Sequence, residues 1–463
     1  MNNKLAKGIL AVLFANLINL VFNLISNFTL PKFLSVDTYA AIKTFTLYLS
    51  YAGFLHLGYE DGMYLKYGGK NKEEISYSEI AINMSTLRVF QIAISIIVTL
   101  IGFFLDDLII FSFGLTVTPY NMLYYFKNFF QATGEFKLYG RLMNATTIIL
   151  FILNMMLLFV VKESNYIFYI AVNVFVYLIA WIFMEIYVRV RSNTKFPIFA
   201  FSIQNFVECI SSGFFLMLGT FSSIILLSMD RWFVKFLMSN TEFAQYSFAV
   251  SVENFLNVAI TPVTITLYNF FCINKENNII NRIKRYVIIF SCLIVVGVFP
   301  AKFIIDNWLI KYQESISVII ILCAGRIIFT MVTGIYVNLY KANKMQTKYF
   351  VKLMAVIVFG FLSNYGFYKF LNNMDAFAYA TFVSALLWFA LSIVDFKEYM
   401  IKIKETVYIV IEITAFIILG FKMGAIEGFI LYLLLSCFMS FAFFKEDIKE
   451  LINKFLLKRG TVK

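Results

Sequence analysis

Apolar runs of about 20 residues succeed one another along the whole chain, each long enough to carry a helix across roughly 30 Å of hydrocarbon. Short clusters of charge, Asn or Pro separate them. Fourteen runs are readable, at 8–34, 39–59, 80–105, 108–130, 142–161, 166–188, 201–229, 243–273, 286–305, 316–340, 349–370, 376–396, 407–421 and 425–444. Of the 463 residues 61% are hydrophobic and 14% charged, with a mean hydropathy of +0.81. Soluble domains carry about 25% charged residues, because their surfaces must face water. The pattern excludes a soluble fold and predicts an all-α integral membrane protein of about fourteen transmembrane helices.

Charge placement tests that topology, since an error of one span would invert every later loop. With the N-terminus in the cytoplasm, 27 of the 39 basic residues fall on the cytoplasmic side, 8 fall outside and 4 lie within spans. The asymmetry holds loop by loop, so an even number of spans with both termini cytoplasmic is expected; twelve follow if the last hairpin is misread. The net charge of +12 then reflects membrane orientation, and no nucleic-acid partner is expected. Outer connections such as Asp106-Asp107 leave no room for a folded outer domain. Lys4 and Lys7 precede an apolar run too long for the hydrophobic region of a cleaved signal. The polar stretch 189–195 divides the chain into an N-terminal lobe (1–195, helices 1–6) and a C-terminal lobe (196–400, helices 7–12). A helix pair with a basic cytoplasmic tail (401–463) follows. Cys209, Cys272, Cys292, Cys323 and Cys437 show no metal-ligand spacing, and His56 is the sole histidine. Catalytic residues, metal and cofactor are therefore all expected to be none.

Charges at bilayer depth cost at least about 2.5 kcal/mol on insertion scales and need a partner or a hydrated cavity. Arg88 beside Gln91, Lys127, Arg231 after Asp230, and Arg326 are the basic ones. Arg88 and Lys127 read either as functional or as interfacial groups just inside a span end. Arg326, with about ten apolar residues on each side, either lines a cavity or pairs with an acid such as Glu253. Asp230 and Arg231 form a helix-end ion pair beside Trp232, or Arg231 faces a cavity while Asp230 holds it. Glu185 reads as interfacial. Arg88, Arg231, Arg326 and Lys127 are the candidate binders of an anionic headgroup, because a few fixed charges between low-dielectric walls focus a field and arginine's fork suits phosphate. Asp230 and Glu253 are candidate coupling or ion-pair acids. Tyr59, Tyr64 and Tyr67 serve as sugar contacts or as packing.

The stretch 30–39 reads Leu-Pro-Lys-Phe-Leu-Ser-Val-Asp-Thr-Tyr, and 47–64 reads Leu-Tyr-Leu-Ser-Tyr-Ala-Gly-Phe-Leu-His-Leu-Gly-Tyr-Glu-Asp-Gly-Met-Tyr. Further along come Gln131-Ala132-Thr133-Gly134-Glu135-Phe136-Lys137, Met229-Asp230-Arg231-Trp232 and Phe243-Ala244-Gln245-Tyr246-Ser247. These patches resemble the Wzx-type polysaccharide flippases of the polysaccharide transporter family, within the multidrug/oligosaccharidyl-lipid/polysaccharide (MOP) exporter superfamily. The resemblance implies two six-helix lobes in a V, as in MATE proteins, plus a C-terminal helix pair, and a multi-pass transporter rather than an enzyme. It places the chain in the bacterial cytoplasmic (inner) membrane. The implied partners are membrane lipids, a polysaccharide polymerase and an undecaprenyl-diphosphate-linked oligosaccharide repeat unit, which is moved outward for O-antigen, capsule or exopolysaccharide synthesis. Competing readings are a peptidoglycan-precursor flippase, a MATE-like drug exporter and, from a different class, a membrane glycan polymerase or ligase.

Overall fold

The computed structural model describes residues 3–68, 75–133, 135–192, 199–274 and 276–460. The chain forms two compact units, Met1–Ser228 and Met229–Lys463. No strand occurs among the described residues. The first unit holds α1 (Asn3–Phe33), α2 (Val36–Ser50), α3 (Tyr59–Tyr67), α4 (Tyr77–Phe104), α5 (Leu108–Ala132), α6 (Phe136–Met156), α7 (Tyr166–Ser192) and most of α8 (Ile203–Leu237). The second takes the end of α8 and then α9 (Asn240–Asn254), α10 (Asn257–Ile273), α11 (Asn277–Ile294), α12 (Val298–Trp308) and α13 (Ser315–Met331). It closes with α14 (Asn338–Ala342), α15 (Gln346–Leu371), α16 (Asp375–Asp395), α17 (Ile403–Lys422) and α18 (Ala425–Gly460).

Each apolar run lies on helix, but several are interrupted. Among the described residues nine helical stretches are long and apolar enough to cross a membrane, ten if α9 and α10, bent by 46°, count as one span. The fourteen expected runs include others that fall short of this measure, such as α17, which carries Lys404, Glu405 and Glu412. Large apolar side chains stand exposed on the helices, Phe104 at 78%, Phe215 at 78% and Phe370 at 89% among them. A water-facing surface does not tolerate that density, whereas lipid does.

The second run departs most from expectation. After Ser50 it tightens to a 3-10 turn (Ala52–His56), passes through left-handed Leu57 and Gly58, and restarts as α3. Gly58, at φ 86°, takes the left-handed conformation without a Cβ penalty. His56 stabilises the break: its Nδ1 accepts the Gly58 N–H at 3.1 Å and its Nε2 lies 3.9 Å from Asp61. The restarted helix then packs backbone to backbone on α8. A Cβ on Gly62 would sit 1.9 Å from the Cys209 carbonyl oxygen, and one on Gly213 would sit 2.1 Å from that of Gly58. Small residues permit such approach between helices that lipid does not drive together.

In the second unit, ion pairs tie α11 to the last two helices. Lys284 pairs with Glu405 at 2.8 Å, both fully buried, and donates to the Met400 carbonyl. Arg285 grips Asp447 with two bonds of 2.7 Å, the bidentate geometry that makes arginine–carboxylate pairs strong. Arg282 pairs with Glu450.

Candidate functional site

Every basic residue singled out in the sequence lies on a helix, and the four divide between the units. Arg88 is carried by α4 and is 3% exposed. Its Nη1 reaches both oxygens of Glu185 on α7 at 2.6 Å. Trp181 Nε1 donates to the same carboxylate at 2.8 Å and Arg189 approaches it at 3.3 Å. Glu185 is thus the hub of a largely buried network, a partnership that its place near the inner end of its span does not announce. The reason is that α7 turns this face toward α4, which a residue's distance from its own helix end does not disclose.

Lys127, on α5, is 9% exposed. Its ammonium lies 4.6 Å from the centre of the Tyr124 ring, a cation–π contact. No carboxylate comes within ion-pair distance of it among the described residues. It remains close enough to Glu60 on α3 for the two charges to interact. Glu60 is 1% exposed; Asn128 donates to its Oε2 at 3.3 Å, while its Oε1 is buried with no hydrogen-bond donor among the described residues. Read as one span, the run 39–59 ends before Glu60, so hydropathy alone does not mark this acid as buried. The available signal was Gly58 followed by Glu60 and Asp61, the acidic first turn of a new helix.

In the second unit Arg326, central in α13, pairs through Nη2 with Glu253 Oε1 at 2.7 Å. Its guanidinium also lies 5.4 Å from the Phe329 ring centre. Directly beyond, α13 widens into a π turn at Val332–Val337; such turns recur at functional positions. Glu253 ends α9 just before the bend to α10. Asp230 is not held by the Arg231 guanidinium: its carboxylate accepts the Tyr246 hydroxyl at 2.7 Å, the Thr381 hydroxyl at 3.4 Å and the Arg231 backbone N–H at 2.8 Å. Arg231 has no ion-pair partner among the described residues, and its Nε is buried without an acceptor. Its charge acts through space on both Asp230 and Glu253.

The structure therefore gathers Arg231, Arg326, Asp230 and Glu253 into one electrostatic neighbourhood, in which one of the two arginines has no ion-pair partner among the described residues. Within the first unit Arg88 and Lys127 have separate surroundings. Tyr59 and Tyr67 are fully buried, their hydroxyls spent on the Asn83 carbonyl and on Glu79; they are core residues. No cluster of His, Cys, Asp or Glu positioned to hold a metal ion occurs among the described residues.

No protein-family model and no curated protein matches the sequence. Solved structures do match in fold. The chain superposes on the lipid II flippase MurJ in its inward closed conformation with a TM-score of 0.62 and 13% identity, over 96% of this chain and 100% of that one. It matches an outward-facing multidrug-resistance MATE transporter of the MOP superfamily at 0.52 and 11%, over 85% and 95%. A MATE transporter of Vibrio cholerae gives 0.50 and 14%, over 85% and 95%. The chain has the fold shared by these transporters, flippase and multidrug exporter alike.

Proposed function

We propose that the chain is a flippase that moves undecaprenyl-diphosphate-linked oligosaccharide repeat units across the cytoplasmic membrane for surface-polysaccharide synthesis. The observation that carries this reading is the Arg231 guanidinium, set among helices in the apolar second unit with no carboxylate partner among the described residues. A part-buried cation on an apolar helix is costly unless an anion is to meet it, and a diphosphate offers the oxygens that an arginine fork takes. The likeness in fold to MurJ, named as a flippase of lipid II, supports a lipid-flipping reading. Asp230 and Glu253 temper the local field, so that the headgroup binds without being trapped. Movement follows alternating exposure of the headgroup to the two sides while the polyprenyl tail stays in lipid.

Reconstitution tests it. Proteoliposomes carrying a fluorescent polyprenyl-diphosphate oligosaccharide should show protein-dependent transfer between leaflets, reduced at least tenfold by Arg231→Ala. Export of cationic dyes with no movement of the glycan lipid would overturn the proposal in favour of a drug exporter. The fold likeness to MurJ favours one second reading, a peptidoglycan-precursor flippase; rescue of a strain depleted of its precursor flippase would select it.

A further inference from the structure

A groove of about 490 Å³ opens between α6 and α7 of the first unit, floored by Phe130 of α5. Its outer rim is Ile149, Phe175 and Phe183, 45%, 55% and 64% exposed, and both helices are long and apolar enough to cross the membrane. Ala145 and Ala180 deepen it by leaving the space between the helices unfilled. Apart from Arg141 and Tyr187 at one end, its polar lining is the Thr146 hydroxyl, which is turned back onto the Leu142 carbonyl at 3.0 Å. The interior therefore offers a ligand hydrocarbon contact and nothing to hydrogen-bond.

The two ends differ. Ile149 and Phe175 stand at the apolar end, while Arg141 and Tyr187 stand at the other. At a rise of 1.5 Å per residue the span from Arg141 to Ile149 is about 12 Å and that from Phe175 to Tyr187 about 18 Å. That brackets the ~15 Å depth of one leaflet. The loop charge asymmetry puts Arg141 on the cytoplasmic side. Arg141 is exposed and has no carboxylate partner among the described residues.

We infer that this groove seats the proximal polyprenyl chain of a phosphorylated lipid, with Arg141 meeting its phosphate at the cytoplasmic face. The inference rests on the flippase reading above and adds where the tail lies before transfer. A single channel one leaflet long with one cation at its mouth fits one chain bearing one charged head; a phospholipid brings two chains. Aromatic walls alternating with alanine notches accept the methyl branches of isoprene units, which are wider at intervals than a straight acyl chain.

The full-length protein in phosphatidylcholine nanodiscs, exposed to a photoactivatable polyprenyl diphosphate, tests this. The expected labelling falls on the peptides 138–149 and 175–187, is competed by unlabelled polyprenyl diphosphate, and resists equimolar phosphatidylglycerol. Ala180→Trp, which fills the channel, should lower labelling at least tenfold. Arg141→Ala, on an exposed side chain with no carboxylate partner among the described residues, should weaken it several-fold. Undiminished labelling in both variants, labelling confined to other helices, or equal competition by phosphatidylglycerol would overturn the assignment. Labelling that behaves as expected in a protein that moves no glycan lipid would sink the flippase reading alone; glycan-lipid transfer unaffected by Ala180→Trp would sink the groove alone.

Discussion

Arg326 and Glu253 are joined at 2.7 Å, a guanidinium from the middle of α13 against a carboxylate at the last turn of α9, immediately before that helix bends into α10. The pair fixes the bend to the most buried helix of the second unit. Removing one member strands the other, and a buried charge without its partner costs about 3–5 kcal/mol. Arg326→Ala should therefore lower the thermal midpoint in detergent sharply. The double variant Arg326→Met with Glu253→Leu should recover most of the loss, since it leaves no stranded charge. Equal damage in single and double variants would show that the pair is not the source.

Arg231 should behave in the opposite way. With no ion pair to break among the described residues, Arg231→Ala is expected to change stability little. A lost charge-assisted hydrogen bond is worth about 1.5–3 kcal/mol, which corresponds to roughly a ten- to hundredfold rise in Kd for a polyprenyl diphosphate. Titration with a fluorescent diphosphate lipid measures this; an unchanged Kd would remove Arg231 from the headgroup site.

The contact of α3 with α8 predicts intolerance at two glycines. Gly62→Ala and Gly213→Ala place a methyl about 2 Å from a backbone carbonyl oxygen, so the helices must separate, at a cost of at least about 1–3 kcal/mol. Gly366 in α15 has nothing within 4 Å of its added Cβ. There Gly366→Ala should stabilise by about 0.5–1 kcal/mol, because helical glycine is the poorer choice. Thermal midpoints of the three variants decide between close approach and a general dislike of substitution.

Asp107 caps α5, its Oδ1 accepting the N–H groups of Ile109 at 2.8 Å and Ile110 at 3.0 Å. Asp107→Ala should cost about 1 kcal/mol, and Asp107→Ser should restore most of it. Restoration by Ser but not by Ala, read from the thermal midpoint, identifies the cap; equal loss in both would assign the effect to charge.

Residue-level partners followed a different logic from the spans. Arg88 and Glu185 are 97 positions apart, and each taken alone reads as a group near a span end. Only the facing of α4 and α7 turns them into a pair. Glu60 was hidden for a related reason: a helix that stops, reverses handedness at Leu57 and Gly58 and restarts looks in sequence like one run that simply ends.

From the sequence alone one learns that the chain lives in a membrane, where its helices lie, and which charges are anomalous. These are local properties: a run's length against the hydrocarbon thickness, and the cost of a charge in it, need no knowledge of neighbours. Tertiary structure decided which anomalous charges are paired and which are not. It set Glu253 against Arg326, gave Asp230 to Tyr246 and left Arg231 without a carboxylate among the described residues, because an ion pair depends on which helix faces meet across the packed interior, and that is settled by the packing of the whole unit.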